Sequence, residues 1–199
     1  LHPDHSGGAI TLRKKYKIPI AAHEDLDKWY AGFGGLLQHK IDCYLATTVA
    51  YRNKRKLERI LYKRKIRPDF LLNDTDALPF YSDWQGLHVP GHTLHDLVGY
   101  HAREQILFIN DLVCEVKGKP QLPIPILFPA KMSKSFDRLL KTNATAIFRT
   151  HGRPIISDNA YEIFSTMQQI LANPFNPLAR KIYRISIFPP QVRKKLKAR

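Results

Sequence analysis

Six side chains stand where hydrolytic metal chemistry would need them: His2, Asp4 and His5 at the start of the chain, and His92, Asp111 and His151 further along. Imidazole nitrogen and carboxylate oxygen hold zinc and similar borderline cations, and catalytic sites of that kind keep a position for water. Read alone, His2-x-Asp4-His5 also fits an ordinary polar loop, His92 a buried turn residue and His151 a surface group. Their shared setting favours a joint reading. His92 lies in Val89-Pro90-Gly91-His92-Thr93, Asp111 follows Ile106-Leu107-Phe108-Ile109-Asn110, and His151 follows an apolar run ending at Phe148. Loop ends of a rigid sheet are the usual mount for convergent ligands.

The elements that must carry these residues are legible as periodicities. A strand-like run covers 18–22, with a turn and a helix start near 23–27. Apolar residues recur at helical spacing from Leu37 and Ile41 to Ile60 and Leu61, which predicts one or two amphipathic helices over 36–61 with a strongly basic polar face. The basic run over 52–67 reads as helical too. Residues 70–113 read as a meander with strands over 70–72, 78–81, 87–89, 97–100 and 106–113, separated by turn residues. Four prolines and a glycine over 117–130 predict an extended loop. A helix is expected from Ser133 or Ser135 to Leu140, a buried strand over 144–148 and a helix over 159–171. The proline-containing end of the chain is expected to be irregular and partly mobile.

With 199 residues and 44% hydrophobic content, the chain suits a single domain, placed at 1–172 and followed by a basic tail at 173–199. The formal net charge of +15, from 32 Lys and Arg against 17 Asp and Glu, admits anionic partners. Its excess gathers in 52–67 and 180–199, where a solvated helix face is the favoured reading over a nucleic-acid site. Cys43 and Cys114 sit in apolar stretches and are read as core residues. The chain holds no apolar run long enough to cross a membrane, and a cytoplasmic setting is the default expectation.

The opening LHPDHSGG resembles the signature loop H-x-H-x-D-H of the metallo-β-lactamase superfamily without its first His. VPGHT, LFINDLV and THGRPI resemble that family's later motifs, in the same order. The resemblance covers residues 1 to about 172. It implies an α/β fold, the four-layer αββα sandwich, lacking here its N-terminal strands. It further implies two divalent metal ions, zinc in the first instance with iron or manganese as alternatives. His2 and His92 would bind the first, Asp4, His5 and His151 the second, and Asp111 both. Asp4 and Asp111 would be the catalytic carboxylates around an activated water, with Asp4 holding its proton. Three departures from the family pattern stand out: the first His is absent, Asn110 replaces Gly, and Leu94-His95 replace Pro-Gly. His23, His39, His88, His95 and His101 are read as structural or surface groups.

The function expected is metal-dependent hydrolysis of an ester, thioester or lactone-type small molecule. Two alternatives stand beside it: a phosphodiesterase or nuclease of the same fold, and a non-catalytic protein keeping the fold with an incomplete site. A His one position before Leu1 would complete the motif. The segment as it stands is expected to be metal-poor at one site and prone to associate, and an oligomer is compatible with the sequence.

Overall fold

Ile106-Leu107-Phe108-Ile109 alternates sides as a strand must, with Leu107 and Ile109 fully buried and Phe108 54% exposed. That alternation sets the organisation around it. The computed structural model describes residues 1–52, 56–57, 60–172 and 177–197. In chain order the first elements are α1 (Pro3–Ser6), α2 (Ala9–Tyr16), β1 (Ala21–His23), α3 (Gly32–Arg52) and β2 (Phe70–Leu72). They are followed by β3 (Ala77–Leu78), β4 (Tyr81–His88), β5 (Leu97–His101), β6 (Ile106–Ile109), β7 (Cys114–Val116) and β8 (Lys119–Gln121). The chain continues through α4 (Pro129–Leu140), β9 (Ala146–Arg149), β10 (Ile155–Ile156), α5 (Ile163–Ala172), α6 (Pro177–Ile185) and α7 (Pro190–Lys197). The class is mixed α/β, as expected. Two compact units result, residues 1–71 with 184–199, and residues 72–183.

The second unit is built on a six-stranded sheet in the order β10-β9-β6-β5-β4-β3. All neighbours are antiparallel except β6 and β9, which run parallel with Leu107 opposite Ile147. Parallel neighbours need a crossover, and α4 lies within the connection from β6 to β9. Met132, Phe136 and Leu139 recur at helical spacing on α4 and are completely buried, together with Phe164 and Met167 of α5 and Leu107, Ile109 and Ile147 of the sheet. The rings of Phe136 and Phe164 stack with centroids 6.1 Å apart. Each such side chain contributes about 1.5–3 kcal/mol by leaving water.

The first unit has a different centre. The Tyr30 hydroxyl donates to Asp42 at 2.6 Å, and the Tyr62 hydroxyl, 3.2 Å from it, donates to the Leu1 carbonyl at 2.9 Å. The start of the chain is thereby tied down. Burial first, and then Asp42, hold Tyr30 well above the usual tyrosine range, and burial likewise pushes Tyr62 up, so both stay protonated donors at neutral pH. Cys43 is buried as expected, whereas Cys114 is only half-buried at the start of β7.

Several local expectations are corrected. Helix α3 ends at Arg52, and residues 60–69 contain no helix; positions 53–55 and 58–59 lie outside the described residues. The cause is tertiary. The Asp27 carboxylate accepts the backbone N–H groups of Ile66 and Arg67 at 2.8 and 2.9 Å, and Arg64 donates to the Tyr30 and Gly32 carbonyls at 2.9 Å. The predicted strand over 106–113 stops at Ile109. Part of the expected extended loop over 117–130 is instead the β7–β8 hairpin, turned by Lys117 and Gly118 at φ 52° and 74°. Two left-handed residues in succession suit the right-handed twist of the flanking strands. Pro120 is tolerated because this hairpin is only two-stranded and no third strand needs its missing N–H. Helix α4 starts at Pro129, earlier than Ser133, and the end of the chain forms α6 and α7. All three begin on a proline, the one helical position where a missing N–H costs nothing. Pro174 lies outside the described residues.

Candidate metal centre

Helix α1 carries Asp4 and His5, and His2 caps its N-terminus. Pro3 occupies its first turn with a helical φ already set, and the His2 carbonyl accepts both the backbone N–H and the hydroxyl of Ser6 at 3.0 Å. His5 Nε2 lies 3.8 Å from an Asp4 carboxylate oxygen. The segment is therefore a single helical turn, which carries Asp4 and His5 with His2 at its N-cap, three donors within four positions.

The second unit brings His92, Asp111 and His151 around one carboxylate. Asp111 leaves β6 two residues after Ile109, and Asn110 between them donates from Nδ2 to the Leu97 carbonyl at 3.3 Å. The Asn that departs from the family's Gly thus pins this strand end to the neighbouring chain segment. His92 leaves β4 through Val89-Pro90-Gly91, a loop closed by the Thr93 N–H and hydroxyl donating to the Asp96 carboxylate at 2.7 and 2.5 Å. Its other wall is α4: the Phe128 N–H donates to the Gly91 carbonyl, and the Ser135 hydroxyl to the Pro90 carbonyl, both at 2.9 Å. A Cβ on Gly91 would stand 2.5 Å from Met132 Cβ and 2.8 Å from its Cα, so only glycine lets helix and loop meet. Gly91→Ala should consequently lower stability by about 1–3 kcal/mol through overpacking. Urea denaturation of the full chain checks this, and an unchanged midpoint would mean the loop has slack.

Within this group the two oxygens of Asp111 face different imidazoles. Oδ2 is 3.5 Å from His92 Nε2, and Oδ1 is 3.3 Å from His151 Nε2. His92 is 5% exposed in its side chain, and its Nδ1 is 2.6 Å from the Pro125 carbonyl, an acceptor only. Nδ1 must carry the proton in that bond, so in the neutral ring the lone pair sits on Nε2, directed at a carboxylate oxygen. Two lone-pair atoms facing one another at this range want a cation between them. The donor set is what divalent zinc, iron or manganese accepts, with Pro125 as the outer partner that sets the ring's tautomer. The chemistry of His92, Asp111 and His151 fits a divalent metal.

His151 follows β9. The Thr150 N–H and hydroxyl donate to the Ile109 carbonyl at 3.2 and 3.1 Å, which ties the loop to the strand end that carries Asp111. The Glu115 N–H donates to the His151 carbonyl at 2.7 Å. Gly152 has φ +148°, and a Cβ there would lie 2.7 Å from Glu115 Cβ. The backbone N–H of Arg153, and then the guanidinium groups of Arg153 and Arg149, hold the Glu115 carboxyl below the usual range.

Sequence reading missed Pro125 and Glu115. Nothing in the local pattern of a proline-rich segment marks one carbonyl as an imidazole's partner. Of the remaining histidines, His101 stacks edge-on against Trp84 at 5.3 Å, His39 against Tyr30 at 5.1 Å, and His88 Nε2 binds the Leu94 carbonyl at 2.8 Å. Among the described residues no helix is long and apolar enough to cross a membrane.

No curated protein matches the chain in sequence. Among solved structures it is similar to an archaeal metallo-beta-lactamase superfamily protein from Sulfolobus tokodaii, with 16% identity, 94% of this chain and 75% of that one covered, and a TM-score of 0.59. It is also similar to the BLEG-1 B3 metallo-beta-lactamase, with 18% identity, 86% and 74% covered, and a TM-score of 0.54. A third is TTHA1623 in a di-iron-bound form, with 21% identity, 81% and 70% covered, and a TM-score of 0.50. At these identities the likeness is one of fold. The sequence model of the Metallo-beta-lactamase superfamily matches residues 1–151, which include all six candidate side chains. The chain belongs to the metallo-beta-lactamase superfamily.

Proposed function

We propose that the chain is a metal-dependent hydrolase acting on an ester, thioester or lactone-type small molecule. Membership of the superfamily supports hydrolase-type chemistry with divalent metal, and the observation that carries the reading further is the Asp111 carboxylate set between two imidazoles. His2, His92 and Asp111 would hold one ion, and Asp4, His5, Asp111 and His151 the other, with His2, Asp4 and His5 included on the strength of the family motif. When bound, two such ions supply an activated water at neutral pH and positive charge for a developing oxyanion. The chain's own work is orientation. The Pro125 carbonyl keeps His92 in the tautomer with a free Nε2, the Asp111 charge offsets part of the cationic load, and Asp4 holds the proton of the attacking water.

Metal content by elemental analysis, paired with a screen over lactone, thioester and phosphodiester substrates, tests this. Zinc, iron and manganese are measured separately. Lactone or thioester turnover that follows metal content supports the reading, and phosphodiester turnover alone would replace it with the nuclease alternative.

The net charge of +15 motivates that alternative. Against it, Arg13 donates internally to the Ile66 and Arg67 carbonyls and to Asp69, and Arg64 to Tyr30 and Gly32. Those cations are already engaged. Binding to DNA or RNA is therefore expected to be weak, in the range of about 10⁻⁴–10⁻⁶ M, and to collapse as salt rises. Fluorescence anisotropy from low to high salt reads this directly, and salt-resistant, sequence-dependent binding would overturn it.

A further inference from the structure

Next to His151 stands a set of charges that the proposed chemistry does not use. Glu115 on β7 accepts from Arg149 Nη2 at 2.7 Å, from the Arg153 N–H at 3.1 Å and from Arg153 Nε at 3.2 Å. Arg149 in turn donates from Nε and Nη2 to the Arg153 carbonyl at 2.8 and 2.6 Å. Only the outer arm of this set is open to solvent: the Arg149 side chain is 5% exposed and that of Glu115 15%, against 80% for Arg153.

The geometry of these bonds surrounds one residue. Glu115 grips the segment 149–153 by its main chain at the His151 carbonyl and by its side chain at both ends of the same segment. Gly152, at a φ that L side chains rarely adopt, is pressed so closely on Glu115 that a Cβ would not fit. A loop bent through a glycine would otherwise let His151, whose side chain is 42% exposed, swing among orientations. A ligand already held in its binding orientation loses little further freedom when an ion arrives.

We infer that Glu115, braced by Arg149 and Arg153, is a positioning residue that fixes the His151 imidazole toward Asp111 before metal is bound. This rests on the hydrolase reading above for what His151 then does. The fixing of His151 itself does not depend on it.

The test uses the full chain with Glu115→Gln, which keeps the shape and removes the charge, and Arg153→Ala, which removes only the exposed arm. Arg138→Ala is the control; it breaks the 2.6 Å contact with Asp74 and the 3.2 Å bond to the His88 carbonyl, both in the same unit and neither to the segment 149–153. Two quantities are read: the dissociation constants for two added zinc ions, and the His151 Cε1–Hε1 resonance in metal-free protein. In Glu115→Gln the zinc constant of the ion assigned to His151, the tighter one because its ligand set is the fuller, should rise by about 10–100-fold, the loss typical of a ligand's outer partner. The weaker constant should stay in place, and the His151 resonance should broaden or split. Arg153→Ala should shift both readouts the same way and less, so the inference stays testable if Glu115→Gln does not fold. Arg138→Ala should lower the melting temperature and change neither readout.

The inference is overturned if Glu115→Gln and Arg153→Ala leave the resonance and the zinc constants unchanged, or if Arg138→Ala moves them equally. Absence of zinc binding by the unmodified chain would instead remove the hydrolase reading. The His151 resonance in metal-free protein would still decide the positioning role.

Discussion

Asp111→Ala is expected to strip the chain of bound divalent metal and to lower hydrolysis by at least about a thousandfold, the equivalent of roughly 4 kcal/mol of lost transition-state stabilisation. The expectation comes from the double engagement of one carboxylate, with His92 Nε2 3.5 Å from one oxygen and His151 Nε2 3.3 Å from the other. Removing it leaves two imidazoles with no shared negative charge, and on the proposed assignment both ions would lose a ligand at once. Asp111→Asn keeps the shape and one acceptor oxygen but no charge, so it should retain a fraction of the metal and less of the activity. His101→Ala is the comparison. That ring is buried against Trp84 and accepts the Glu104 N–H at Nδ1, so its loss should lower stability while metal content and turnover of the folded protein stay nearly unchanged. Elemental analysis and turnover on the three variants read the result, and an Asp111→Ala protein that keeps two metals would end the assignment.

The second large effect is on stability. Phe136→Ala should cost about 3–5 kcal/mol, a range set by the lost transfer of a buried ring and the cavity it leaves. Phe136 is completely buried, stacks on Phe164 and lies on the face of α4 shared by Met132 and Leu139, so few neighbours can relax into the gap. Natural domains are stable by only about 5–15 kcal/mol, which makes this a large part of the total. Its reach extends to the candidate centre, because α4 and its N-cap hold the Gly91 loop through Ser135 and Phe128. Phe136→Leu, with a smaller void, should cost distinctly less. Urea denaturation of both variants gives the answer; equal and small losses would mean that α4 is not the keystone of this core.

The sequence by itself determined the class of the fold and which residues could meet. Ile106 to Ile109 alternates, Met132, Phe136 and Leu139 share a helical face, and VPGHT and THGRPI mark the ends of strands; these are local patterns that a short window contains whole. The candidate ligands were legible for the same reason, since each belongs to a short motif whose residue types are themselves the chemistry. Tertiary structure decided what local preference leaves open. The basic run was expected to continue as helix, yet Asp27, 39 residues before Ile66, captures its backbone N–H groups and ends that option. The tautomer of His92 depends on the Pro125 carbonyl, 33 residues away, and the orientation of His151 on Glu115, a residue of another strand. Hydrogen bonds of that kind join groups with no fixed relation along the chain, so they exist only once packing has brought the partners together.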